Sequence, residues 1–154
     1  MNPAGQFVVF GLDERRFALR LPTVERVVRV VAIDPLPKSP AIVLGVVNIG
    51  GRVTPVVDPR RRFHAPAREP VATDHLIVAR TAQRPVALLV DSVMGVVEQP
   101  AGQITPADAI LPGLDYVEGV VKLEDGLIFI HDLDTFLSLE EARTLDAALA
   151  TAPN

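Results

Sequence analysis

Three groups of residues have types that could do chemistry. The first is GVVNIGG, Gly45–Gly51, which spaces glycines like the start of a phosphate-cradling loop. Such a loop needs Gly-x-x-x-x-Gly-Lys-Ser/Thr, followed by a helix whose N-terminal amides and dipole hold the anion. Here Gly51 stands in place of Lys and Arg52 in place of Ser/Thr, and the strand-like VTPVVD with its Pro55 follows. Gly50-Gly51 reads instead as a hairpin turn, because such pairs tolerate positive φ. The second group is His64, His75 and His131, which are too scattered to supply the three or four convergent ligands of a metal site. Asp132 and Asp134 lie near His131, but Asp132 reads as a strand-end residue. The third is Ser39 and Ser92, neither of which sits in a Gly-x-Ser-x-Gly elbow. No catalytic, cofactor-binding or metal-binding residue is therefore assigned, and no enzyme activity is expected.

The elements that carry these residues read as β. Of 154 residues, 49% are hydrophobic, with much Val, no Trp and one Tyr, while 14 Pro and 10 Gly cut the chain into short pieces. Val is stiff at its first side-chain torsion and suits strands. The absence of Cys excludes disulfides and thiolate metal sites. No apolar run is long enough for a membrane span and MNPAGQF lacks the regions of a signal peptide, so a cytoplasmic location is expected, with no membrane insertion. A net charge of −4 argues against broad nucleic-acid binding, which needs a basic face.

The chain repeats itself. FALRLPTVERVV, Phe17–Val28, lies over VALLVDSVMGVV, Val86–Val97, at an offset of 69 without a gap. GVVNIGGRVTPVVDP, Gly45–Pro59, lies over GVVKLEDGLIFIHDL, Gly119–Leu133, at an offset of 74. The difference falls in one loop, Arg29–Leu44 against Glu98–Glu118. Two copies of one β unit follow, about 6–63 and about 74–137, with a closing helix over about 138–149, all within one domain of 6–149.

Each unit parses into about five strands. Those of the first are Gln6–Leu12, Arg16–Leu21, Val27–Ile33, Ile42–Ile49 and Arg52–Asp58. Those of the second are His75–Thr81, Pro85–Val90, Gly95–Gln99, Val117–Leu123 and Gly126–His131. Phe17, Leu19 and Leu21 face a core while Arg20 faces water, whereas TPVVD and LIFIH are apolar on both faces, as where two units pack together. Pro22-Thr23 and Asp91-Ser92 could each start a helical turn. AIDPLPKSP, Ala32–Pro40, reads as an extended surface loop and the Arg-rich PRRRFHAPAREP, Pro59–Pro70, as a solvated linker. Ser138 and Glu141 form a capping box, with Ala142, Leu145 and Leu149 on one helix face.

In this order the motifs resemble the CheW-like chemotaxis coupling proteins. The resemblance rests on FVVFGLDERRFALRLPTVERVV, LPKSPAIVLGVVNIGGRVTPVVDPRRRF, VALLVDSVMGVVE and YVEGVVKLEDGLIFIHDLDTFL, and runs from about Gln6 to Leu149. It implies an all-β fold of two five-stranded SH3-like barrels on a shared hydrophobic core with a short C-terminal helix. It also implies a non-enzymatic adaptor that couples the cytoplasmic tip of a chemoreceptor, held in the groove between the barrels, to the regulatory domain of a CheA-type histidine kinase. Other CheW-like domains are a further candidate partner. Residue by residue, the resemblance covers Val24, Val27, Gly45, Asn48, Gly51, Pro55, Asp58 and Arg60, and it implies partner-binding positions at Val24, Arg26, Val27, Gly45, Asn48, Gly50 and Arg60. The family usually has Glu where this chain has Arg26 and Arg where it has Gly50. Pro59 replaces a Leu, and His131 an apolar residue. An adaptor in a divergent or dedicated pathway is therefore expected. The alternatives are a scaffold or array subunit that does not bind CheA in the usual way and, more remotely, a small-barrel nucleic-acid-binding module.

Overall fold

The computed structural model describes residues 5–63, 66, 68–99, 104–106, 116–124, 126–135 and 137–151. His64, Asp125 and the side chain of Asp134 lie outside the described residues, as does much of the loop between Glu98 and Glu118. The strands are β1 (Gly5–Leu12), β2 (Arg15–Arg20), β3 (Val24–Arg29), β4 (Val43–Ile49), β5 (Arg52–Val57), β6 (His75–Arg80), β7 (Pro85–Val90), β8 (Ser92–Gln99), β9 (Ile104–Pro106), β10 (Val117–Leu123) and β11 (Gly126–His131). One α-helix, α1 (Leu139–Thr151), follows them. The expected turn at Pro22-Thr23 is a 3-10 turn over Leu21–Thr23. The one expected at Asp91-Ser92 does not form, and β8 starts directly at Ser92. There the Asp91 carboxylate is occupied elsewhere, accepting from the Asp13 amide at 2.7 Å and from Arg68 at 2.7 Å.

The strands make a six-stranded sheet, β8-β1-β2-β11-β10-β9, and a five-stranded one, β3-β6-β7-β5-β4. The two units exchange strands reciprocally. The first gives β1 and β2 to the sheet of β8–β11, and the second gives β6 and β7 to the sheet of β3–β5. The limits 6–63 and 74–137 expected from the repeat therefore do not bound the sheets. The joints between the units are the parallel pairs β2–β11 and β5–β7, and the antiparallel pairs β1–β8 and β3–β6. One sheet has a sixth strand because β9 pairs β10, setting Gly119 opposite Pro106. In the other sheet the same place holds a single bridge: Asp34 N–H donates to Val46 O at 2.9 Å and Val46 N–H to Asp34 O at 2.8 Å.

The exchange buries strands on both faces. In β6, Ile77 and Ala79 face the core shared by the sheets while Leu76 and Val78 face the interior of the five-stranded sheet. In β7, Val86, Leu88 and Val90 face the shared core while Ala87 and Leu89 face that same interior. In β2, Phe17 and Leu19 enter the shared core, but Ala18 on the opposite face is buried as well. Phe17 and Leu19 thus face the core as the alternation suggested, and Arg20 at the strand end stays partly exposed. The linker does not simply lie in solvent. Phe63 stacks on Phe17 with centroids 4.4 Å apart and meets His131 edge-on at 4.9 Å. The Arg62 guanidinium sits 5.1 Å over the Tyr116 ring and pairs with Glu141. Glu141 also closes the capping box of α1: its amide donates to Ser138 Oγ at 3.1 Å, and the Ser138 amide donates back at 2.9 Å. Leu145 and Ala148 bury that helix against the shared core. No helix among the described residues is long and apolar enough to cross a membrane.

Candidate partner-binding surface

The β4–β5 hairpin ends in Gly50 at φ 59° and Gly51 at φ 86°, a left-handed pair that glycine adopts without strain. Asn48 Oδ1 accepts the Gly51 amide at 2.8 Å and pins the turn. β5 follows at once, so no helix N-terminus faces these amides and the phosphate-loop geometry is missing.

Across the barrel mouth from this turn runs β3, with a bulge between Val24 and Arg26. Glu25 in that bulge was not singled out from the sequence, yet it joins three strands. One carboxylate oxygen accepts from Arg52 of β5 at 2.7 Å and the other pairs with Arg80 of β6 at 3.1 Å. The Arg52 hydrogen bond, with both guanidinium charges, holds the Glu25 carboxyl below its usual range. The joint brings the exposed Arg26 and Val27 of β3 to one rim with the exposed Asn48, Gly50 and Arg52. Val53 also stays exposed, one residue beyond Arg52.

The other three expected contact positions point inward. Val24 is half-buried against the shared core. Gly45 lies in a bulge of β4, where a Cβ would meet the Asp34 carbonyl oxygen at 2.2 Å. Arg60 is 3% exposed. It donates to Asp13 Oδ1 at 2.9 Å and to the Pro66 carbonyl at 3.2 Å, and it pairs with Asp91. Beside it, Arg68 grips both oxygens of Asp74, at 2.9 and 2.6 Å, and reaches Asp91 at 2.7 Å. Burial pushes the Asp91 and Asp74 carboxyls up, but the hydrogen bonds from Arg60 and Arg68 outweigh it and hold both below the usual range. The run read as a solvated linker is thus anchored through Arg60, Arg62 and Arg68, and among its arginines Arg61 is the more exposed, at 45% of its side chain. Charge runs are usually wet. This one is drawn in because Asp13, Asp74 and Asp91 sit on turns of the two sheets it must cross.

Between the sheets lies a cleft of about 350 Å³ lined by Arg20, Thr23, Arg80, Thr81, Glu118 and His131. Arg20 pairs with Glu118 at its wall. Arg80 belongs to both this cleft and the Glu25 cluster. His131 is 2% exposed, and burial with the nearby Arg62 charge lowers its pKa to about 3. Among the described residues no three His, Asp or Glu side chains could hold a metal ion. The Ser39 hydroxyl donates to the Leu36 carbonyl at 2.8 Å, which makes it part of a turn. The arrangement offers surface and charge for binding.

Comparison with known proteins agrees. The family model for the CheW-like domain matches residues 6–141. The chain is 30% identical to the chemotaxis protein CheW of Rhizobium meliloti, covering 91% of this chain and 92% of that one. It is 32% identical to the chemotaxis protein CheW of Thermotoga maritima, covering 83% and 84%. The crystal structure of the scaffolding protein TtCheW from Thermoanaerobacter tengcongensis superposes with a TM-score of 0.81 at 27% identity, covering 90% of this chain and 95% of that one. With its two strand-exchanged sheets and closing helix, the chain belongs to the CheW-like domain family.

Proposed function

We propose that the protein is a non-enzymatic chemotaxis adaptor that couples chemoreceptor tips to a CheA-type histidine kinase in the cytoplasm. The observation that carries this reading is the family match over residues 6–141. The rim of Arg26, Val27, Asn48 and Gly50 is the kinase-facing surface, and the cleft between the sheets takes the receptor tip. β3 is an edge strand, so its unpaired backbone groups are open to an added strand.

The pathway is a dedicated one, because Arg26 and Gly50 each break a charge that the family pattern carries. Binding of a typical CheA regulatory domain tests this. The double variant Arg26→Glu, Gly50→Arg should bind about tenfold more tightly than the natural chain, or roughly 1.4 kcal/mol. Unchanged affinity would leave ordinary coupling without the dedicated pathway. If neither protein binds kinase while a receptor fragment is held, the scaffold alternative takes its place.

A further inference from the structure

We infer that the β3 rim is a docking face for an acidic protein surface, with the exposed Val27 as an apolar point of contact. This rests on the adaptor reading and names the chemistry of its partner. Arg52 and Arg80 pair with the one carboxylate of Glu25, Arg26 follows it in the strand, and Arg29 stands farther along β3, opposite His75. Arg52 and Arg80 share that carboxylate and keep 49% and 61% of their side chains exposed. Arg26 and Arg29 have no ionic partner among the described residues. The rim is therefore strongly positive on a chain whose net charge is −4. Among these charges Val27 and Val53 stay 39% and 52% exposed.

The repeat supplies an internal control. The fold exposes the matching apolar positions of the second unit too, as Val96 at 53% and Leu127 at 44%. Yet Arg26, Arg29, Arg52 and Arg80 have Gly95, Glu98, Gly126 and Gly11 as their counterparts, and Glu25 has Met94. The same strands close the second sheet with no arginine at those four positions, although Arg16 of β2 brings its guanidinium 3.2 Å from where a Cβ on Gly126 would stand. The positive charge is thus a property of this face and not a requirement of the architecture.

A basic face can also attract nucleic acid, which stacks its bases on aromatic side chains. Here the exposed apolar residues of the rim are valines, and two of the arginines are already held by Glu25. Carboxylates pair with the remaining guanidiniums while apolar neighbours on the same protein surface cover Val27, which a phosphate backbone does not supply.

The test uses the full chain and a CheA-type regulatory domain in two forms, native and with the exposed residues of its docking strand replaced by Glu. The acidic form should bind at least tenfold more tightly at low salt. That preference should shrink toward parity in 0.5 M NaCl, and the variant Arg26→Glu, Arg29→Glu should reverse it. Both substitutions are at exposed positions, and circular dichroism checks that the fold persists. Equal binding of the two forms would overturn the inference and leave the adaptor reading in place. Binding of neither form would remove both. Retention of a 20-base-pair duplex at physiological salt, lost in the same variant, would assign the face to nucleic acid and overturn the inference as well.

Discussion

The carbonyl oxygen of Asp34 stands 2.2 Å from the point where a side chain on Gly45 would begin. The two backbones meet there because Asp34 and Val46 exchange hydrogen bonds that tie the chain after β3 to β4. A Cβ at 45 would push on backbone atoms, which cannot swing aside. Gly45→Ala should therefore cost about 3 kcal/mol or more. Gly50, at φ 59° with open space around it, should lose only about 1–2 kcal/mol on the same change. Urea denaturation of the two variants checks the ranking. Equal losses would mean that the Asp34 bridge gives way at no cost.

Arg60 supplies the next prediction. Arg60→Ala leaves Asp13 without its guanidinium and Asp91 with Arg68 alone. Partial exposure of both carboxylates tempers the penalty, so about 2–3 kcal/mol of stability should go. Arg61→Ala, at a more exposed side chain, should fall within about 0.5 kcal/mol of the natural chain. Because the Asp91 and Asp74 carboxyls are held low, their contribution is present above the unfolded value. It is lost as pH falls through the folded one. The Arg60 variant should show a shallower acid limb, and an unchanged limb would count against the network.

His131 makes the protein sensitive at a milder pH. Its folded pKa of about 3 lies below the ordinary histidine value of 6.5, so the unfolded chain takes up a proton that the folded one refuses. The stability is complete above the unfolded pKa and declines as pH drops below it, by about 2 kcal/mol between pH 7 and pH 5. His131→Leu should abolish that part of the decline. Parallel denaturation curves for both proteins at the two pH values would refute the assignment.

The cap of α1 is joined to the linker through Glu141. Ser138→Ala removes one side of the capping box and should cost about 1 kcal/mol. Glu141→Ala removes the other side and frees Arg62 from the helix, so it should cost more, roughly 2 kcal/mol. Melting temperatures in the reverse order would show that the Arg62 contact contributes nothing.

What could be read from the sequence was what is local. Gly50-Gly51 as a turn, the Ser138–Glu141 box and nearly every strand follow from turn chemistry and alternation within a few residues. The strand exchange could not be read, because a repeat reveals which segments are alike and not which ones pair. β9 was missed because three residues ending in Pro106 carry no period. Glu25 was not singled out because its partners Arg52 and Arg80 are far away in sequence. Arg60 looked wet for the same reason: its partners Asp13 and Asp91 reach it only through the fold. Family resemblance marked Val24, Gly45 and Arg60 beside Arg26, Val27, Asn48 and Gly50, and only burial separates the inward set from the rim.

The reciprocal exchange of strands sets an order on how the protein can be made. The five-stranded sheet has all its members once β7 has left the ribosome. The six-stranded sheet must keep β1 and β2 waiting, apolar on both faces, until β11 arrives to set Ile128 beside Arg16. Pairing across so long a stretch of chain is slow, and for that interval the nascent protein displays its stickiest strands. A cut between the two halves would leave each fragment lacking strands that only the other can supply, so the halves should regain structure only when mixed.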